Sequence, residues 1–114
     1  MMQGGPALLA RIYVGERDVF QGRPLYQAIV ELLRQRRVAG ATVLRAIEGF
    51  GANAHLHTSR ILRLSEDLPI LIEVVETEEK LRPVLAELEP MVGDGLVTLE
   101  RVEVIVYRGG GATS

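Results

Sequence analysis

Residues Leu68–Leu88 have the sequence LPILIEVVETEEKLRPVLAEL, in which a strand pattern passes directly into a helix pattern. The aliphatic and β-branched run Leu68–Val75 is typical of a buried strand. Thr77 suits the cap of a following helix, and Glu78 and Glu79 are favourably placed against the positive end of that helix. The apolar residues beyond them recur at helical spacing and predict a buried stripe: Leu81, Val84, Leu85 and Leu88.

The first half of the chain repeats this strand–helix order. Ala7–Val14 predicts a strand, and Pro24 suits the first turn of a helix. Gly40 is the expected left-handed cap of that helix, and Ala41–Glu48 predicts a second strand. The helix is expected to bury one apolar stripe: Leu25, Ile29, Leu32 and Leu33.

The helix that follows Thr77 is expected to start late or to bend at Pro83. An interior proline removes a hydrogen bond and crowds the preceding turn. A tight turn over residues 92–95 is followed by two short strands, Leu96–Glu100 and Val102–Tyr107. The predicted fold is therefore an α+β, ferredoxin-like βαββαβ sandwich with an extra C-terminal strand.

One domain over residues 1–114 is expected, with flexible tails at about 1–6 and 109–114. Residues 52–66 have a weak, polar pattern and predict a long loop between the second and third strands. Loops of that length inside compact domains are uncommon and often functional.

Composition narrows the class of protein. The chain has 114 residues, 47% of them hydrophobic, with a formal charge of −2 and no cysteine. The charge gives no general attraction to nucleic acid or to anionic membranes, and the missing thiols exclude disulfides and cysteine metal sites. Residues 1–6 lack the features of a signal peptide, and the apolar runs are too short to span a bilayer. We expect a cytoplasmic protein that is not embedded in a membrane.

The predicted strands are hydrophobic almost throughout rather than alternating. Strands of this kind are buried on both faces, yet two helices can cover only one face of the sheet. The uncovered face therefore predicts assembly of several copies through the sheet.

Two features invite other interpretations. His55 and His57 are two residues apart, but two ligands are too few for a closed zinc site, so they are weak metal candidates. The Gly-Phe-Gly triplet around Phe50 resembles part of an RNA-recognition signature, but the triplet follows the second strand. Glu48 precedes the triplet, where that signature has a basic residue. We therefore expect no nucleic-acid binding.

The chain also resembles the PII-like signalling proteins over roughly residues 7–108, and most closely the small bacterial PII-like proteins of unknown function. The resemblance rests on four motifs, which are EGFG at 48–51, HTSR at 57–60, LSEDLP at 64–69 and GDG at 93–95. It implies a homotrimer and a non-enzymatic regulator. It also implies that the 52–66 loop contacts a partner, such as a transporter or a metabolic enzyme, through His57, Thr58, Ser59, Arg60 and Arg63.

The resemblance further implies a ligand site between subunits. An adenine nucleotide, with or without Mg²⁺, is the expected ligand, although a smaller anion is as compatible with the sequence. Leu96 stands where PII proteins have a phosphate-binding lysine, and Arg108 is all that remains of their paired C-terminal arginines. The expected ligand-binding residues are Gly49, Gly51, Asn53, Gly93, Asp94, Gly95 and Arg108. Glycines at 93 and 95 are expected to take positive φ and to direct N–H groups at an anion.

Two alternatives stay open. A trimeric CutA-like metal-tolerance protein would have nearly the same architecture and would bind copper or zinc through His55 or His57. A small ferredoxin-like enzyme is the other alternative, although the sequence contains no recognisable set of nucleophile, base and orienting residue.

Overall fold

The computed structural model of the protein describes residues 4–50 and 67–109, and these form one βαββαβ unit. The strands of its main sheet are β1, β4, β5 and β6, and β2 and β3 form a small hairpin before the first helix. The bounds are β1 Gly5–Gly15, β2 Val19–Phe20, β3 Arg23–Pro24, α1 Leu25–Gln35, β4 Ala41–Arg45, β5 Pro69–Glu76, α2 Glu78–Leu88 and β6 Leu96–Val104.

The main sheet has the strand order β4-β5-β1-β6, and every neighbouring pair is antiparallel. This is the ferredoxin-like order expected from the sequence. The central strand β1 pairs with β5 from Leu8↔Glu76 to Gly15↔Pro69, and with β6 from Gly5↔Val104 to Tyr13↔Leu96. The starts of β5 and β6 therefore lie at the same end of the sheet as the end of β1.

One face of β1 and β5 forms the core with the two helices. Alternate residues along both strands are buried there, for example Ile12 and Ile72, each 0% exposed. The helices contribute their predicted stripes, with Leu33 and Leu81 also at 0%. The buried core set is Leu8, Ala10, Ile12, Val14, Leu25, Ile29, Leu33, Ile70, Ile72, Val74, Leu81, Val84 and Leu88.

The ends of α1 and α2 differ from the sequence prediction. Arg37 (φ 59°), and not Gly40, takes the left-handed conformation after α1, because the turn tightens before β4 and Val38 N–H bonds back to the Leu33 carbonyl at 3.3 Å. Helix α2 begins at Glu78 and continues through Pro83. Pro83 is exposed, so water can satisfy the carbonyl that its missing N–H would have bonded.

Three strand boundaries also differ. β1 starts at Gly5, inside the expected tail, because Gly5 pairs with Val104. β4 ends at Arg45 rather than at Glu48, with Ile47 already 90% exposed. In place of the two predicted C-terminal strands there is one, β6, because its ladder with β1 continues past Glu100.

The other face of the sheet, here called the open face, has no helix against it in the described residues. Its apolar residues come from all four strands, and its centre is an ion network around Arg11. Arg11 bonds Glu73 at 3.2 Å and Glu100 at 2.9 Å. Hydrogen bonds to Glu100, which has the larger effect, and to Glu73 raise the pKa of the Arg11 guanidinium above its ordinary value. The register places these apolar residues on the open face: Ala7, Leu9, Tyr13, Leu44, Leu71, Val75, Leu96 and Val102.

Candidate ligand site at one end of the sheet

Gly49 and the 93–95 turn lie at the same end of the sheet. Gly49 is beside Pro69 at the start of β5, since a Cβ built on Gly49 would be 3.2 Å from Pro69 Cγ. Gly95 lies against the end of β1, since its Cβ would be 2.6 Å from the Tyr13 carbonyl oxygen. Two of the glycine motifs predicted to form the ligand site therefore share one end of the sheet, on either side of β1.

Gly49 has a backbone conformation that requires glycine. Its φ of 152° is one that L side chains rarely adopt, so glycine is strongly favoured here. The chain then leaves the sheet, with Phe50 84% exposed. The aromatic ring is consequently available to a ligand or to a neighbouring molecule.

The 93–95 turn lies before β6 at this end of the sheet, but its conformation differs from the prediction. Neither Gly93 nor Gly95 is in the left-handed region, so the expected nest of N–H groups built on positive φ is wrong. Gly95 is needed for another reason, because a side chain would collide with the Tyr13 carbonyl and with Val92 Cγ1 at 2.9 Å. Gly93 has nothing within 4 Å of a built Cβ, and Asp94 is exposed.

A set of carboxylates at this end occupies nearby backbone donors, and the sequence analysis missed it. Asp18 accepts the Gly15 N–H at 2.8 Å, and Asp67 accepts the Arg17 N–H at 3.0 Å. Asp67 itself has φ 46°, which aspartate tolerates better than most residues. Only the fold shows which N–H groups these carboxylates accept, because Asp67 and Arg17 are 50 residues apart in sequence.

The nearest strand arginine does not compensate for the missing lysine. Arg45, the last residue of β4, pairs with Glu16 through Nε and Oε2 at 2.9 Å. Leu96, at the position of the PII lysine, is 54% exposed and lies on the open face. Arg45 and Leu96 therefore offer no free cation to a phosphate at this end, whereas Arg17, in the turn after β1, is exposed there.

Arg108 lies at the opposite end of the sheet in the same copy. β6 ends at Val104 beside Gly5, and the Tyr107 hydroxyl donates a hydrogen bond to the Ala39 carbonyl at 2.9 Å. Ala39 in turn bonds Glu76, the last residue of β5. The eight residues of β5 separate this end from Pro69 and Gly49 by about 23 Å, at roughly 3.3 Å per residue. Arg108 cannot reach the glycine end of its own subunit.

The remaining predicted site residues lie outside the described residues. These are the ligand candidates Gly51 and Asn53, the loop residues His57, Thr58, Ser59, Arg60 and Arg63, and the metal candidate His55. Within 4–50 and 67–109 there is no group of three or more histidine, aspartate or glutamate side chains arranged to hold a metal ion. The helices of that part of the chain are also too short and too polar to cross a bilayer.

Comparison with known proteins identifies the family. The sequence matches the DUF190 family, described as "Uncharacterized ACR", over residues 7–104. A UPF0166 protein of Aquifex aeolicus (strain VF5) is 38% identical over 97 residues, which cover 85% of this chain and 91% of that protein. A UPF0166 protein of Methanocaldococcus jannaschii is 36% identical over 104 residues, which cover 90% of this chain and 94% of that protein.

Solved structures agree on the fold. The chain superposes on CPII of Thiomonas intermedia K12 bound to ADP and bicarbonate with a TM-score of 0.64, at 19% identity and covering 91% of this chain and 93% of CPII. The apo form of CPII, a nitrogen regulatory PII-like protein, gives a TM-score of 0.61 at 19% identity, covering 87% and 91%. The chain is thus a member of the DUF190 family with a PII-like, ferredoxin-like fold.

Proposed function

We propose that this protein is a homotrimeric, non-enzymatic PII-like regulator that binds an adenine nucleotide between neighbouring subunits. The observation that carries the proposal is the separation of Gly49 and Gly95 from Arg108, at opposite ends of one sheet. A site that combines the glycine end with the arginine needs two copies of the chain. PII-like CPII, which has the same fold, is bound to ADP in its solved structure.

The open face supports assembly. No helix of the described residues lies against this face, and Leu96 at 54% and Leu44 at 46% are among its exposed apolar side chains. Burying such a patch favours association. The Arg11 network at its centre is already paired within one copy. Because these charges are paired, the free-energy cost of desolvating them in an interface is offset in part.

The ligand would be held by groups from two copies of the chain. Gly49 and the 93–95 turn let backbone groups approach the ligand closely, and Arg108 of the next subunit supplies a guanidinium fork for phosphate. Because one arginine is the expected cation, ADP or AMP suits the site better than ATP. Occupancy would order the 52–66 loop, which then engages or releases a partner such as a transporter or a metabolic enzyme.

The first test is calorimetric titration of the metal-free protein with ATP, ADP, AMP and cyclic AMP, each with and without Mg²⁺, and then with copper and zinc. Saturable ADP or AMP binding at about one site per subunit, with affinity on the order of micromolar, supports the proposal. If no nucleotide binds and copper or zinc binds tightly, the CutA-like alternative would be favoured.

A subunit-mixing experiment tests where the site lies. Gly93→Glu places a carboxylate at the glycine end, where there is room for it, and Arg108→Ala removes the cation from the other end. Each variant alone should bind ADP much more weakly than wild type. Randomly mixed trimers should recover about one quarter of the sites, because one junction in four pairs an intact glycine end with an intact arginine. No recovery in mixed trimers would contradict a shared site.

Loop signalling has its own test. Trypsin cleavage after Arg60 or Arg63 should slow when ADP is bound, and the Gly93→Glu variant is the control because it should show no slowing. Equal cleavage rates with and without ADP would count against coupling between the site and the loop.

A further inference from the structure

Ala39, in the connection between α1 and β4, has both of its main-chain polar groups held by side chains from distant parts of the chain. Its N–H donates to Glu76 Oε2 at 2.8 Å, and its carbonyl accepts the Tyr107 hydroxyl at 2.9 Å. The partners are 37 and 68 residues away in sequence. We call Ala39, Glu76 and Tyr107 the clasp.

Glu76 is the rigid half of the clasp. It is 1% exposed, and its other carboxylate oxygen accepts the Thr77 N–H at 2.9 Å, immediately before α2. A buried carboxylate is expensive unless it is hydrogen-bonded, so this side chain has little freedom to leave its two backbone donors. Glu76 thereby fixes the Ala39 peptide relative to the end of β5 and the start of α2.

Tyr107 is the half that holds the C-terminal segment. After β6 ends at Val104, Ile105 is 82% exposed and Val106 is 52% exposed, so burial of these two residues contributes little to placing the chain. The Tyr107 hydroxyl reaches back to the Ala39 carbonyl and ties the segment to the body of the subunit. Arg108 is the next residue, and its own side chain is exposed.

We propose that Tyr107 is a positioning residue that, through Ala39 and Glu76, presents Arg108 to the phosphates of a nucleotide in the neighbouring subunit's site. This inference rests on the proposed function. An arginine on an untethered segment would spend only a fraction of its time in the binding geometry. The apparent affinity for the nucleotide is then reduced to that fraction of its intrinsic value. The clasp raises the fraction without touching the ligand.

The test is a double-mutant cycle of Tyr107→Phe and Arg108→Ala, with ADP affinity measured by calorimetry on the full chain. Tyr107→Phe keeps the ring and removes only the hydroxyl, so we expect ADP to bind about 3- to 10-fold more weakly, the range of one lost hydrogen bond. In the Arg108→Ala background the same change should have no further effect on the residual affinity. Tyr26→Phe on α1 is the matched control and should bind ADP as the wild type does.

A measurement without nucleotide separates the clasp from the proposed function. Trypsin cleavage after Arg108, followed by mass spectrometry of the free protein, should be faster in Tyr107→Phe than in wild type or Tyr26→Phe. Equal cleavage rates would overturn the clasp. Equal loss of ADP affinity with and without Arg108 would overturn the positioning role alone. Wild-type protein that binds no nucleotide would overturn both the proposed function and the phosphate role of Arg108, while the cleavage difference would still report the clasp.

Discussion

Replacement of Gly95 by alanine should destabilise the fold because the new methyl group would meet backbone. A Cβ on Gly95 would be 2.6 Å from the Tyr13 carbonyl oxygen and 2.9 Å from Val92 Cγ1. Carbon–oxygen contacts between strands normally lie at about 3.3–3.6 Å, so β1 and the start of β6 would have to separate by about 0.7 Å. The Tyr13 backbone is in the central strand and cannot move without disturbing its ladders on both sides.

The expected loss is about 1–3 kcal/mol, the usual range for overpacking a site that cannot expand freely. Gly93→Ala is the matched control two residues away. It has nothing within 4 Å of the new methyl and does not require a left-handed φ. Because alanine restricts the unfolded chain, Gly93→Ala should be about 0.4–1 kcal/mol more stable than wild type.

Urea denaturation followed by far-ultraviolet circular dichroism measures both variants. The subunit concentration is kept equal, because the stability of the proposed trimer would depend on concentration. At a slope of about 2 kcal/mol/M, a loss of 2 kcal/mol lowers the midpoint by about 1 M. The steric argument would be refuted by a Gly95→Ala midpoint equal to that of wild type, or by an equal fall in Gly93→Ala. A loss of stability in Gly93→Ala would also favour the predicted nest of N–H groups, because alanine is strained at positive φ.

Three further predictions concern the core, the open face and an ion pair. Leu81→Ala, at a fully buried position, should lower the urea-derived stability by about 2–5 kcal/mol, whereas Val19→Ala, 66% exposed, should change it little. Leu71→Asp on the open face should convert the proposed trimer to monomers in light-scattering chromatography, with Val19→Asp as control; a trimer that persists in Leu71→Asp would show that this face is not the interface. Arg36 lowers the pKa of Glu87, so the pair stabilises the fold fully above the ordinary glutamate value of 4.5 and progressively less as the pH falls through the folded pKa. The wild-type advantage over Arg36→Gln in urea midpoint should therefore be present at pH 7 and shrink below pH 4.5, and an advantage independent of pH would contradict this.

Local pattern determined most of the fold. The stripe of Leu81, Val84 and Leu88 and the continuous apolar run of β5 depend only on neighbours a few residues away, so periodicity alone is sufficient to predict them. Apolar residues on both faces of the predicted strands likewise indicated that the helices leave one face of the sheet uncovered. Boundaries were less predictable, because the end of β4 and the continuity of β6 depend on pairing with strands far along the chain.

The sequence predicted candidate site residues and not their arrangement. Gly95 was predicted to bind a ligand, and the structure shows a packing reason for this glycine, the Tyr13 carbonyl on another strand, which has no signature in the turn. The separation of Gly49 from Arg108 follows from the direction of β5 and β6 in the sheet, and the clasp of Tyr107 on Ala39 joins residues 68 apart. Sequence alone determined the two helices, the first strands of each half and their apolar faces, since these follow from short-range spacing. Only the tertiary structure decided which backbone groups and side chains meet, because strand register sets contacts between residues that are distant in the chain.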